Sequence, residues 1–189
     1  ATYRQSAEIK PGLIDKDPEN KWLSRAPRYR IKAEYLRDLA LSTSGLLNKT
    51  IGGPSVKPYQ PDGLWEGASS GRGILSTYRQ DHGEDLYRRG LYSFIKRTVP
   101  PPAMMIFDGS NRDQCQVGRS MTNTPLQALV GLNDPAILEA SRVLAASLLV
   151  EKTPHKDKIF KAFRKIVCRT PTDKELTILT AYFEKRRKS

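Results

Sequence analysis

Arg119-Ser-Met-Thr-Asn-Thr-Pro-Leu-Gln-Ala-Leu-Val-Gly-Leu-Asn-Asp-Pro135 reads as two helix starts in series, and it decides the fold class. Thr124 suits an N-cap, Pro125 suits the first helical position, and Gln127 falls at the third, completing a Thr-x-x-Gln capping box. Gly131 is placed to end that short helix in a left-handed conformation. Asp134 and Pro135 repeat the cap-plus-proline start for a longer helix of Ala, Ile, Leu and Val. Such punctuation makes both segments helical and holds Arg119 and Asn123 near two helix N-termini. The spacing names no reaction.

Working outward, the signals on both sides are also helical. Residues 33–47 carry an apolar face at Tyr35, Leu36, Leu39, Leu46 and Leu47. Glu34, Arg37 and Asp38 share its polar edge, which suits the docking of other arginines; catalysis is the competing reading. Glu84-Asp85 place acids at the positive end of a predicted helix with Tyr87, Leu91, Phe94 and Ile95 as its buried stripe. Arg88, Arg89, Lys96 and Arg97 are left on its other faces, and Pro100-Pro101-Pro102 stops it. Met104 to Phe107 reads as a short apolar strand or buried linker, and 108–117 as a polar loop. Near the start, Tyr3 and Ile9 are expected to pack from an extended entry. Asp17-Pro18 is expected to open a short helix through Trp22 and Leu23 that Pro27 ends.

Downstream of the 135 helix, 152–158 reads as a connector, and Ile159, Phe160, Phe163, Ile166 and Val167 mark the next helix. Thr172-Asp-Lys-Glu175 is a capping box for the last, with Leu176, Leu179, Tyr182 and Phe183 inward. Arg169-Thr-Pro171 joins the two as an antiparallel hairpin. From 48 to 83 periodicity is lost and Gly and Pro abound. Val56, Tyr59, Leu64 and Trp65 can anchor this loop in an extended path over the helices, with Gly67–Gly73 as a flexible tip. The expected architecture is therefore mainly α: an irregular helical domain with a long Gly/Pro-rich ordered loop. Residues 1–150 form the core with loop 48–83, and 151–189 a basic C-terminal helical hairpin packed on the same domain.

Length and charge narrow the classes. A chain of 189 residues with 38% hydrophobic and 28% charged residues can form one sizeable domain. No apolar run approaches the roughly 20 residues of a membrane span. Net charge is +12. Residues 151–189 hold 12 Lys plus Arg against 5 Asp plus Glu, so a polyanion or an acidic neighbouring domain is a natural partner, and a solvated helical surface is the plainer reading. Cys115 and Cys168 have no metal or redox spacing, and without Cys-x-x-Cys-His no c-type haem attaches here. Whether the two pair is left to the fold. His82 with Asp81, Glu84 and Asp85 is the one local group of metal-ligand character, but adjacent turn residues rarely converge on one ion. No metal and no cofactor is expected in this chain.

Several motifs carry a resemblance. Thr122-Asn-Thr-Pro-Leu-Gln-Ala-Leu129 followed by Leu132-Asn-Asp-Pro135 is similar to the signature of the planctomycete-type PSD domain, a domain of unknown function. It resembles that family also at Tyr3-Arg-Gln-Ser6, Ser44-Gly-Leu-Leu47, Gly52-Gly-Pro-Ser-Val-Lys-Pro-Tyr-Gln-Pro61, Gly63-Leu-Trp65 and Asp85-Leu-Tyr-Arg-Arg-Gly-Leu-Tyr92. Gly118 stands where the family usually has a second Arg before Arg119. The resemblance implies a module at the C-terminal side of a large, extracytoplasmic bacterial protein, with c-type haem domains upstream. It also implies that the chain, which begins at Ala, is an excised piece whose targeting signal lay upstream.

Three functions stay open at this point. One is a non-catalytic docking or scaffold module contacting upstream domains of the same polypeptide, with Arg119, Asn123, Thr124, Arg88 and Arg89 as anion or docking candidates. The second binds a polyanion, a sulfated glycan or nucleic acid, through Lys185, Arg186 and Arg187. The third is part of a hydrolase or redox enzyme completed by upstream domains. For Arg119 the competing reading is a purely structural pair with a carboxylate such as Asp85, or with helix C-terminal carbonyls.

Overall fold

The structure is a computed structural model, describing residues 5–27, 29–68, 73, 75–110, 112–115 and 117–187. Tyr3 and residues 69–72 of the expected flexible tip lie outside them. Two compact units divide the chain at Ala1–Ile31 and Lys32–Ser189. Among the described residues there are eight α-helices and no strand, so the fold is mainly α as its punctuation required.

The first unit holds α1 (Leu13–Lys16), a single turn. The helix expected after Asp17-Pro18 does not form. The Asp17 carboxylate reaches past the first turn and accepts from the amides of Lys21 at 2.7 Å and Trp22 at 3.2 Å and from the Ser24 hydroxyl at 3.0 Å. Asn20 and Leu23 take positive φ, which breaks helical continuation. Arg25 closes the turn by donating to the Asp17 and Pro18 carbonyls, both at 2.8 Å. Asp17 thus organises a knot of turns and leaves Trp22 exposed.

The second unit is built on α2 (Ala33–Ser44) and α6 (Pro135–Leu149), which pack along one another. Small side chains permit the close approach: Ala33, Ser44 and Ala140 are buried beside Leu41, Leu144 and Leu148. Each of those leucines contributes about 1.5–3 kcal/mol by leaving water. The face of α2 is rotated from the expected one, with Tyr35 exposed and Leu41 buried. Gly45 ends α2 at φ 86°, a left-handed position that only glycine takes without strain.

Loop 48–83 is laid across this pair and contains a short helix of its own, α3 (Leu64–Ala68). Trp65 is its deepest anchor, fully buried between Tyr78 at 5.0 Å and Phe94 at 5.7 Å, with the Lys96 ammonium 4.5 Å above its ring. Backbone bonds pin the loop to residues 87–94: Asn48 N–H donates to the Tyr87 carbonyl, Val56 N–H to Tyr92, and Phe94 N–H to Val56. Those bonds also correct the helix expected from Glu84. Its backbone groups are engaged by the loop, so the segment forms two 3-10 turns, Gly83–Tyr87 and Gly90–Tyr92. The buried residues become Leu86, Arg88, Gly90 and Ser93, while Leu91 is exposed.

Met104 to Phe107, expected as a short apolar strand or buried linker, falls instead largely within α4 (Pro102–Ile106), with the last of three prolines at its first position. Then come α5 (Pro125–Asn133), α7 (His155–Val167) and α8 (Asp173–Arg187). Gly131 does not end α5; it lies inside, and the helix runs on until Asp134 turns the chain into α6. Cys168, at φ 57°, ends α7 and opens the hairpin turn into α8. There Glu175 accepts from Thr172 N–H at 2.8 Å and from both Arg169 terminal nitrogens, which hold its carboxyl down to about 2. Cys115 and Cys168 are exposed free thiols.

Candidate functional site

The twin helix start is a densely hydrogen-bonded polar site, and its order is built from the backbone upward. Asp108, itself at φ 60°, accepts from the Thr122 amide at 2.8 Å and from its hydroxyl. The Gln127 amide donates to the Ile106 carbonyl at 2.8 Å and to Thr122 Oγ1 at 3.1 Å, while its oxygen accepts from Thr124 N–H at 3.3 Å. Thr124 and Gln127 thereby close the expected capping box and tie the end of α4 to the start of α5. Asp134 then accepts from Ala136 and Ile137 N–H at 2.9 and 3.2 Å, capping α6.

Of the residues expected at an anion pocket, Arg119 is engaged elsewhere. Its two terminal nitrogens meet both oxygens of Glu34 on α2, not Asp85. The Glu34 carboxyl is held below its ordinary value by the Arg119 guanidinium, against partial burial. Asn123 is exposed, and Thr124 serves the helix. Arg88 is buried, donating to the Pro54 carbonyl at 2.6 Å and to that of Gly52, and stacked 3.9 Å from the Tyr92 ring. Arg89 is half-buried. Among these five anion or docking candidates, Arg119 and Arg88 lock the fold.

The polar edge of α2 behaves as a docking rail. Glu34 takes Arg119, the Asp38 carboxylate accepts from Gly90 N–H at 2.6 Å, and Arg37 donates to the Leu86 carbonyl at 2.5 Å. A second carboxylate, Glu139 on α6, accepts from Tyr59 at 3.0 Å and Tyr87 at 2.8 Å, joining the loop and the 3-10 turns to α6. That bond to Glu139 pushes the Tyr87 hydroxyl up to about 12. Asp81, next to His82, is used in the loop, where it accepts from Lys57 N–H at 2.6 Å. Among the described residues no three His, Cys, Asp or Glu side chains converge as a metal site would require.

What the sequence missed is the polarity of α5. Its one fully buried residue is Gln127, 3% exposed, whereas Leu126, Leu129 and Leu132 are 51%, 56% and 72% exposed. Their spacing of three puts the leucines along one stripe, and Met121 just ahead of the helix is exposed too. The capping signal was readable, but which face it turned outward was not. At the hairpin, Lys185, Arg186 and Arg187 lie exposed in the last turn of α8. Arg186 contacts the Tyr182 hydroxyl at 3.3 Å, and Arg187 meets His155 Nε2 at 3.2 Å. Among the described residues no helix is long and apolar enough to cross a membrane.

Comparison with curated proteins returned no match, and comparison with solved structures returned none. A family model, by contrast, matches residues 1–183, nearly the whole chain and all of the twin helix start. The chain belongs to the PSD1 family, described as a protein of unknown function (DUF1553).

Proposed function

We propose that this chain is a non-catalytic docking module and that α5 is its docking surface. The observation that carries the reading is the inverted burial of that helix: a polar Gln127 inside, and three leucines outside on a segment capped at both ends. A rigid helix presenting a leucine stripe suits helix-against-helix docking. The occupant is an apolar helical face, rimmed by acidic side chains, of another domain of the same polypeptide. The net charge of +12 favours that acidic rim. The resemblance to planctomycete-type domains supports an extracytoplasmic, multidomain setting in which c-type haem domains lie upstream.

Each leucine is already partly covered, so docking gains roughly 1 kcal/mol apiece. Replacing all three by Glu is expected to weaken docking at least about a hundredfold. The test mixes this chain with the separately produced remainder of its full polypeptide and measures affinity by calorimetry. Micromolar or tighter binding, lost in the Leu126→Glu, Leu129→Glu, Leu132→Glu variant at unchanged melting temperature, is the expected result. Equal binding by the variant, no binding by the wild type, or a leucine-dependent homodimer in place of the complex defeats the proposal.

The basic hairpin favours a second reading, polyanion binding. Lys185, Arg186 and Arg187 are exposed together, and the segment from 151 carries a surplus of cations. Such contacts are sequence-blind and weaken steeply with salt. Heparin retention at about 50 mM salt, where charges are poorly screened, should collapse when all three become Glu. A wild type that is not retained eliminates this reading.

A further inference from the structure

The seam where α7 and α8 meet α6 is open. Neither α7 nor α8 has a fully buried residue, although both carry large apolar side chains. Between the three helices lies a cavity of about 270 Å³, walled by Leu144, Leu148, Ile159, Ala162 and Phe183. A second, of about 280 Å³, shares Ser141, Leu144 and Ile166 with it and continues to Leu39 and Phe107. The two adjoin at those shared residues along α6, an apolar groove whose parts each fall near the lower end of the size range of ordinary small-molecule sites. No Asp or Glu lines either part among the described residues.

The groove has one polar end. A further hollow shares Leu149, His155 and Phe183 with the first cavity and adds Arg186 and Arg187, and Lys158 stands in the first cavity's wall. Arg187 can only donate, so its 3.2 Å contact makes His155 Nε2 an acceptor and puts the imidazole proton on Nδ1. That Nδ1 is buried with no partner, and so is Thr153 Oγ1 two residues earlier. Native folds rarely leave such groups unsatisfied. Both sit where α7 begins, at the positive end of a helix of 13 residues.

We propose that this groove binds one single-chain anionic amphiphile, a fatty carboxylate, with its chain along α6 and its carboxylate at the start of α7. The head group sits at the His155 end of the groove, under the field of Lys158, Arg186 and Arg187. One charged end and a long apolar remainder is the asymmetry of such a molecule. A partner helix, by contrast, would bring backbone and polar edges along its whole length to a wall that is mostly apolar.

The probes are dodecanoate, dodecyl maltoside and dodecyltrimethylammonium, each below its micelle concentration, added to the intact chain and followed by calorimetry and native mass spectrometry. Dodecanoate is expected to bind one to one and at least about tenfold more tightly than the other two, the effect of one charge-assisted hydrogen bond. Ala145→Trp fills the groove from an exposed position and should abolish uptake at unchanged helicity. Arg186→Gln with Arg187→Gln should cost dodecanoate about tenfold and leave dodecyl maltoside unaffected. Four results overturn the proposal: no saturable uptake, equal affinity for the neutral or cationic probe, full binding by Ala145→Trp, or association only with anionic vesicles. If a variant fails to fold, the ranking of the three probes on the wild type decides alone.

Discussion

Arg119 and Glu34, which stand 85 residues apart, face each other as two planar forks: Nη1 donates to Oε2 at 2.7 Å and Nη2 to Oε1 at 2.9 Å. This pair ties the strand-like approach to α5 directly onto the first turn of α2. Fork-to-fork geometry is the strong form of an ion pair, and partial burial places its worth above that of a surface pair. Glu34→Gln is expected to destabilise the fold by about 1–2 kcal/mol at neutral pH. Because the folded-state pKa of Glu34 is depressed, its contribution is present above its ordinary value of 4.5 and is lost as pH falls through the lower, folded-state value. Urea midpoints of wild type and variant should therefore differ by a constant amount above about pH 5 and converge in acid. A difference that persists unchanged to pH 2 would contradict the assignment.

Gly131 and Gly90 are expected to respond oppositely to the same substitution. Gly131 lies inside α5 with a negative φ, and a Cβ there meets nothing within 4 Å. Gly131→Ala should stabilise by about 0.5–1 kcal/mol through helix propensity. At Gly90 a Cβ would sit 2.7 Å from the Glu34 carbonyl oxygen and 2.9 Å from its Cα, both backbone atoms. Gly90→Ala should cost about 2–3 kcal/mol by overpacking. Thermal melts of the two variants check the signs.

The two caps of the twin start differ in strength. Asp134 accepts two N–H groups of α6 in its own side chain, so Asp134→Ala should lose about 1–2 kcal/mol. Thr124→Ala should lose less, about 0.5–1 kcal/mol, since Gln127 still accepts from the residue-124 amide. Denaturation midpoints in the reverse order would refute the division of labour between them.

Arg88 should not tolerate lysine. Its two terminal nitrogens span the Gly52 and Pro54 carbonyls, and Tyr92, on which it stacks, accepts from Gly52 N–H at 2.7 Å. An ammonium is a point donor and cannot bridge both carbonyls. Arg88→Lys is expected to cost about 2–4 kcal/mol and to free the 49–57 stretch. Trypsin should then cut after Lys49 faster than in the wild type. Equal cleavage rates would show that the loop is held without this clamp.

Cap signals were legible wherever the deciding atoms are close in sequence. Thr124-Gln127, Asp134 and Thr172-Glu175 each act within four residues, and each forms the structure it spells. Asp17 spelled the same signal and did otherwise, since its carboxylate found Lys21, Trp22 and Ser24 further along the chain. Residues 84–95 have helical periodicity, yet the loop at 48 and 56 competes for their backbone groups and wins. Local pattern carries no record of such a competitor.

The amino-acid sequence by itself determined that this chain is mainly α, where most of its longer helices start, and that it belongs to the PSD1 family. Those are properties of short-range hydrogen bonding and of motif order. Only the tertiary structure decided that Arg119 pairs with Glu34, that Arg88 is a buried clamp, and that Gln127 faces inward while Leu126, Leu129 and Leu132 face out. Each of these depends on which element arrives opposite, across 21 to 85 residues of chain. A guanidinium or a leucine stripe looks the same in sequence whether it faces water, a carbonyl or a partner; its role is set by the dielectric and the donors and acceptors that packing brings to it.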